Sequence, residues 1–339
     1  MNFTADDRRF AAGAGPEQIN TISRRDLVKT GVAALAGTVA LSTQAASAQD
    51  DEKASPFRLD GRVAIVTGAA RGIGRAIAVA LAAAGADIAA IDIAGTVSSA
   101  STVEPATEAE LNETGELVKK TGRRFIAIKG DIRDLPAMQA AAERTVRELG
   151  KIDILVANAG IQIFAPIAQV SDRAWHDVID VNLTGTANTV RAVVSHMIER
   201  QRGRIIIIAS GQGRHGMKNG AAYSASKWAL IGFMKSIALE LAEHKITVNT
   251  IEPGLVDTAL TRNTERWNEA LKHAGLPPQD HPKEADVISA RMKDAVLKVP
   301  WMQPTDIAPA AVFLASNAAA WVSGATYDVT AGDSANYTA

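Results

Sequence analysis

The run Tyr223-Ser224-Ala225-Ser226-Lys227 places a phenol and an ammonium four residues apart. On a helix, residues at that spacing share a face. A lysine ammonium beside a phenol stabilises phenolate, so the expectation is a Tyr223 pKa drawn down toward neutrality. A tyrosine tuned in this way serves as a general acid or base, which an ordinary phenol with a pKa of about 10 does poorly at neutral pH. Ser210 ends an apolar run just upstream, where its hydroxyl can donate to a substrate oxygen as charge builds there. Asn182, within Val181-Asn182-Leu183-Thr184-Gly185, is placed to anchor a water that relays a proton. Taken singly, each has a plain alternative. Most Tyr-x-x-x-Lys pairs lie on a helix surface, and most serines at strand ends are caps.

A second group of residues suits a dinucleotide. Thr67-Gly68-Ala69-Ala70-Arg71-Gly72-Ile73-Gly74 follows a short apolar run and precedes an alanine-rich helical stretch. Glycines at such a turn let the backbone bend and let a phosphate approach, and the helix N-terminus behind them offers unpaired N–H groups. Asp92 ends the next apolar run, where a carboxylate accepts from ribose hydroxyls and repels a 2′-phosphate. Arg71 pulls the other way, since a guanidinium in the turn can pair a 2′-phosphate. The reading adopted is NAD, with NADP as the alternative. Asp131 and Ile132 end the third apolar run, with Asp131 able to accept from an adenine amino group. Asn158-Ala159-Gly160 ends the fourth, with small residues where a flat ring must approach and an amide that can tie neighbouring strands.

These residues need positioning elements, and the sequence supplies a regular alternation. Strands are expected over residues 63–67, 87–91, 125–129, 154–158, 204–209, 247–252 and 326–329. Helices are expected over 75–84, 111–121, 137–149, 172–200, 224–244 and 305–315. The strands are apolar on both faces, which argues a parallel sheet covered by helices on both sides. The fold class is therefore α/β, a doubly wound parallel sheet of about seven strands in one domain. Such sheets bind ligands at the carboxyl ends of their strands. Two connections are long: residues 94–110, rich in Ser, Thr and Glu, and residues 257–304, which carry Trp267 and Trp301. The second reads as a substrate lid. Its apolar character and its two tryptophans favour a hydrophobic substrate over a sugar.

Composition excludes several other chemistries. The chain has no cysteine, so disulfides, thiolate zinc sites and a cysteine nucleophile are ruled out. Its six histidines form no His-x-x-x-His pair, and no metal site is expected. A net charge of −1, without a basic stripe, gives no sign of a nucleic-acid partner. The N-terminus is a different kind of sequence. Arg24-Arg25 precede a weakly apolar run over 31–41, too short to span a bilayer, and Ala46-Ser47-Ala48 forms a small-x-small cleavage pattern. This is similar to a twin-arginine export signal over residues 1–48, followed by a linker over 49–58 and a domain over 59–335. The implied partner is the twin-arginine export machinery, and the implied location is the periplasm, with no stable membrane insertion. A folded enzyme exported this way would leave the cytoplasm with its dinucleotide loaded and tightly held under residues 94–110.

The joint pattern resembles the short-chain dehydrogenase/reductase family, in the branch whose glycine motif reads Thr-Gly-x-x-x-Gly-x-Gly. The likeness covers the chain from about Leu59 to Gly332. Thr67, Gly68, Gly72 and Gly74 match the phosphate turn, and Asn158, Ala159 and Gly160 match an Asn-Ala-Gly element, with Ala157 where a second Asn is common. Asn182, Ser210, Tyr223 and Lys227 match the catalytic tetrad. Pro253, Gly254, Val256 and Thr258 match the segment that meets the nicotinamide carboxamide and the phosphates. Glu252 stands where Asn is usual. Residues 94–110 are similar to an insertion in carveol-dehydrogenase-like members, some of them associated with mycofactocin. The resemblance implies a Rossmann-type sheet and hydride exchange between nicotinamide and a small-molecule alcohol or ketone. It also implies that Lys227 holds the nicotinamide ribose, and that the protein is a homodimer or homotetramer. An NADPH-dependent carbonyl reductase is the alternative within enzymes, and a non-catalytic NAD-binding sensor is the alternative outside them.

Overall fold

The computed structural model describes residues 55–336. The export signal expected over residues 1–48, and the first part of the linker expected over 49–58, lie outside the described residues.

Seven short apolar segments form one parallel sheet. They are β1 (Val63–Thr67), β2 (Asp87–Asp92), β3 (Phe125–Lys129), β4 (Ile154–Ala157), β5 (Gly203–Ile208), β6 (Ile246–Pro253) and β7 (Thr326–Val329). Their order across the sheet is β3-β2-β1-β4-β5-β6-β7, and every neighbouring pair is parallel. The order reverses between β1 and β4, so a crevice opens at the carboxyl ends of those two strands.

Successive strand residues face opposite sides, which explains why the strands lack polar alternation. Val63 and Ile65 point into one core with Met138, Val190 and Met234. Ala64 and Val66 point into the other with Ile77, Leu81 and Leu314. The first core is closed by α3 (Leu135–Leu149), α5 (Thr186–Glu199) and α6 (Ala221–Glu240); the second by α1 (Gly72–Ala83), α2 (Glu108–Lys119) and α9 (Pro304–Ala315). The doubly wound Rossmann-type sheet expected from the alternation is the architecture observed.

One expected helix differs. Residues 172–200 are not a single α-helix: α4 (Asp172–Ile179) passes into a π-helical segment, Asp180–Gly185, before α5 begins. The widened turn carries Asn182, which is 1% exposed. A π turn of this kind commonly marks a functional position. The segment 257–304 holds two helices, α7 (Thr264–His273) and α8 (Glu284–Asp294), around a small core of Leu271, Val287, Ala290 and Trp301.

Candidate active site

Strand ends and helix starts meet at one cavity of about 730 Å³. It is lined by Gly68, Arg71, Gly72, Ile73, Asp92, Asp131, Ile132, Asn158, Ala159, Gly160, Ser210, Tyr223, Lys227, Pro253, Gly254, Val256 and Thr258. Two residues expected at the site, Gly74 and Asn182, are packed behind the lining instead.

The tyrosine lies in the first turn of α6 and the lysine one turn further on. Both are buried, at 8% and 4% exposure. The Lys227 Nζ lies 5.6 Å from the centre of the Tyr223 ring and donates to the Ile208 carbonyl at 2.9 Å. Ser210, just past β5, lines the cavity with Tyr223, where its hydroxyl favours the phenolate, and it accepts from the Gln212 N–H at 3.2 Å. The lysine does not lower the tyrosine as the spacing led us to expect. Burial pushes the Tyr223 phenol up, and the pull downward comes from Ser210 and from Arg266. Burial also lowers Lys227 to about 8. Both groups sit in a wall with little water, where the cost of charging each outweighs what they gain from one another.

Asn182 works through others. Its Nδ2 donates to the Ile161 carbonyl and to Ser226 Oγ, both at 3.0 Å. Its Oδ1 accepts from the Ile161 N–H at 2.8 Å. Ser226 Oγ in turn donates to the Tyr223 carbonyl at 2.7 Å. With both amide hydrogens used, the side chain is a brace between the loop after β4 and the helix that carries Tyr223.

At the other end of the cavity, α1 starts without a side-chain cap and without an acidic residue in its first turn. By contrast α2, α3, α4 and α7 are each capped by a side chain. The turn ahead of α1 is tight: a Cβ on Gly74 would sit 2.1 Å from the Gly68 carbonyl oxygen. Gly68 itself has φ +64°, and a Cβ there would meet the Ala159 backbone at 2.8 Å. Asn158 Nδ2 donates to the carbonyls of Thr67 and Gly68 at 3.0 and 3.1 Å, joining β4 to the turn. These features leave open N–H groups and no side-chain bulk beside the helix N-terminus, a cradle that fits a pyrophosphate.

The Asp92 carboxylate accepts from the N–H groups of Ala70 (3.0 Å) and Ala94 (2.9 Å), which fixes it at the cavity edge with lone pairs to spare. Arg71 is engaged elsewhere: it donates to the Glu104 carbonyl and pairs Glu110 at 3.5 Å. Asp131 is held by Arg133, at 2.6 Å for the closest contact. Burial opposes its charge, yet the guanidinium holds the carboxyl below its usual range. Residues 94–110 form the outer wall here. Ser98 donates to Asp177 at 2.6 Å, and Thr102 reaches across to Glu265 on α7 at 3.1 Å.

The lid also has a charged side that no sequence motif marks. Arg266 and Arg291 line the cavity, on α7 and α8. Trp267 and Trp301 do not. Their rings pack 6.4 Å apart, with Trp301 in the small lid core, so the tryptophans stabilise the lid rather than contact a substrate. Arginines scattered at 262, 266 and 291 carry no spacing signal that would have singled out two of them.

The chain is similar to known proteins over nearly all of the described fold. The short chain dehydrogenase family matches residues 62–269. A (−)-trans-carveol dehydrogenase from Rhodococcus erythropolis is 36% identical over 277 residues, covering 81% of this chain and 98% of that protein. A 2-dehydro-3-deoxy-D-gluconate 5-dehydrogenase from Dickeya dadantii is 35% identical, covering 81% and 96%. The crystal structure of a carveol dehydrogenase from Mycobacterium avium in complex with NAD superposes with a TM-score of 0.76 at 38% identity, covering 81% and 98%. On sequence and structure alike, this chain belongs to the short-chain dehydrogenase family.

Proposed function

We propose that the protein is an NAD-dependent oxidoreductase that interconverts a secondary alcohol and a ketone. The observation that carries this is Tyr223 beside Ser210 and Lys227 on the wall of a cavity that also holds Asp92 and the open N-terminus of α1. A neighbouring fold at 38% identity carries NAD. When bound, the nicotinamide supplies or accepts the hydride. The chain's own residues do the rest. Tyr223 moves the proton of the substrate hydroxyl, and Ser210 donates to the same oxygen. Lys227 presents an ammonium that holds the cofactor ribose, and Asn182 braces the helix beneath them. The turn residues Gly68, Gly72 and Ile73 receive the pyrophosphate, and Gly74 behind them keeps the turn tight. Asp131, Ile132, Asn158, Ala159 and Gly160 flank the adenosine and the ring, and Pro253, Gly254, Val256 and Thr258 complete the nicotinamide side. Asp92 selects NAD over NADP, since Arg71 is occupied by Glu104 and Glu110.

A denatured-protein assay for released dinucleotide, followed by a spectrophotometric panel of alcohols and ketones with each cofactor, tests this reading. NADPH-driven reduction that outpaces NADH would favour the carbonyl-reductase alternative. Tight dinucleotide binding without any turnover would revive the sensor.

Three finer statements belong to the same reading. The chain is exported folded by the twin-arginine route to the periplasm, supported by the order of arginine pair, apolar run and cleavage pattern; N-terminal sequencing of the mature protein that finds Met1 intact refutes it. The dinucleotide is held under residues 94–110, supported by the Thr102–Glu265 bridge. The protein assembles as a homodimer or homotetramer, supported by Trp228 and Leu239 on α6 at 51% and 83% exposure. Light scattering of the purified protein decides the last.

A further inference from the structure

The lid contributes three arginines, and their surroundings differ. Arg262 is neutralised: it is bidentate to Asp257 at 2.6 and 2.7 Å and also pairs Glu284. Arg266 and Arg291 have no carboxylate within ion-pair distance among the described residues. The Nη1 of Arg266 finds only the Met217 sulfur, at 3.0 Å, and its guanidinium lies 5.2 Å from the Phe164 ring centre. The Arg291 guanidinium lies 5.6 Å from the Trp301 ring centre. The Nε of each is buried without a hydrogen-bond partner. The nearest acidic groups act at longer range, Glu269 on Arg266 and Asp333 on Arg291. Glu269 is itself paired with Lys272 at 2.9 Å.

The two guanidiniums also repel one another, and burial together with that repulsion lowers Arg291 to about 9. Holding two unpaired cations in a half-buried wall is costly unless an anion joins them. Both line the cavity, and Arg266 is near enough to Tyr223 to act on its phenol electrostatically. The anion they await therefore enters at the reacting end, away from the Asp92 end of the cavity. A guanidinium fork matches the two oxygens of a carboxylate.

We propose that Arg266 and Arg291 form a carboxylate-binding subsite, and that the substrate is a secondary alcohol or ketone bearing a carboxylate. This rests on the oxidoreductase reading above and narrows it. The neutral hydrophobic alcohol favoured by the tryptophans gives way, because those rings face the lid core. The carboxylate is a fixed handle: it keeps its charge while the carbinol carbon loses or gains a hydride and Tyr223 takes or returns the hydroxyl proton.

The test uses the full chain loaded with dinucleotide and a panel of oxo-carboxylates, acetoacetate, levulinate and their longer aliphatic and aryl homologues, each beside its methyl ester. Dihydroxyacetone phosphate serves as the phosphoryl arm. The acids are expected to exceed their esters in kcat/KM by about tenfold or more. Arg266→Gln and Arg291→Gln each collapse that acid-to-ester ratio toward one, and Arg266→Lys restores part of it. Calorimetry supplies a second readout, with benzoate binding to the wild-type protein, benzamide not, and Arg266→Gln losing benzoate. Esters turned over as well as acids, or a ratio unchanged in both variants, overturn the proposal. So does a loss of dinucleotide affinity in the variants, which would assign the arginines to cofactor phosphates, or a preference for the phosphorylated ketone. Turnover of neutral ketones alone leaves the oxidoreductase reading intact and removes only this inference. No turnover of any compound, acid or neutral, by loaded protein removes both.

Discussion

Lys227 stands one helical turn from Tyr223, yet its Nζ, 5.6 Å from the phenol ring centre, is turned to the Ile208 carbonyl at 2.9 Å. The pair is thus built as two desolvated groups anchored to neighbouring elements. Lys227 falls from 10.5 to about 8 because burial opposes its charge. The unfolded chain therefore binds more protons than the folded one between about pH 8 and about pH 10.5, and this group makes stability rise with pH across that window. Denaturant melts should show Lys227→Met with a flatter pH dependence there than wild type. An equal slope in both would refute the lowered lysine.

The brace through Asn182 has its own signature. Asn182→Ala leaves the Ile161 N–H and C=O without partners in a buried place, a loss of about 1–3 kcal/mol in unfolding free energy. Because the amide also holds Ser226, and Ser226 holds the Tyr223 carbonyl, kcat should fall further than KM rises. Chemical denaturation and steady-state kinetics on the same preparation separate the two effects.

Glu252 gives a pH effect of opposite sign. It is fully buried, and burial together with Asp328 raises it to about 7, with Arg214 pulling the other way. The folded chain binds the proton more tightly than the unfolded chain, whose value is 4.5. Its contribution to stability is therefore fully present below about pH 4.5 and is lost as pH rises through about pH 7. Glu252→Gln should flatten the decline in melting temperature over that interval.

Cofactor choice isolates Asp92 from Arg71. Asp92→Ala should lower the NAD-to-NADP ratio of kcat/KM by about tenfold or more, since the carboxylate that repels a 2′-phosphate is gone. Arg71→Ala should leave the ratio near wild type and change stability by less than about 1 kcal/mol, because its partners are a partly exposed Glu110 and a backbone carbonyl. Paired kinetics with the two cofactors decide between them.

The sheet was legible because its strands are buried on both faces, so Val63 to Val66 read as an unbroken apolar run. The glycine turn was legible because its backbone leaves no room for a side chain at Gly68 and Gly74, and the Tyr-x-x-x-Lys spacing because one helical turn puts both side chains on one face. Three things were not. The π turn at Asn182 leaves the helical periodicity on either side intact, so residues 172–200 read as one helix. The Tyr223 pKa depends on burial and on Arg266, which approaches from a distant part of the chain. The lid tryptophans looked like substrate contacts because composition cannot say which way a ring faces; they face each other.

The central claim is that Tyr223 moves the substrate proton in an NAD-dependent reaction. Stopped-flow measurement of dinucleotide absorbance in Tyr223→Phe, with the best alcohol or ketone from the panel, tests it most directly. The rate of dinucleotide oxidation or reduction should fall by about 10²–10⁴-fold, with dinucleotide affinity within about twofold of wild type. A variant that binds the dinucleotide and turns over at near the wild-type rate would contradict it.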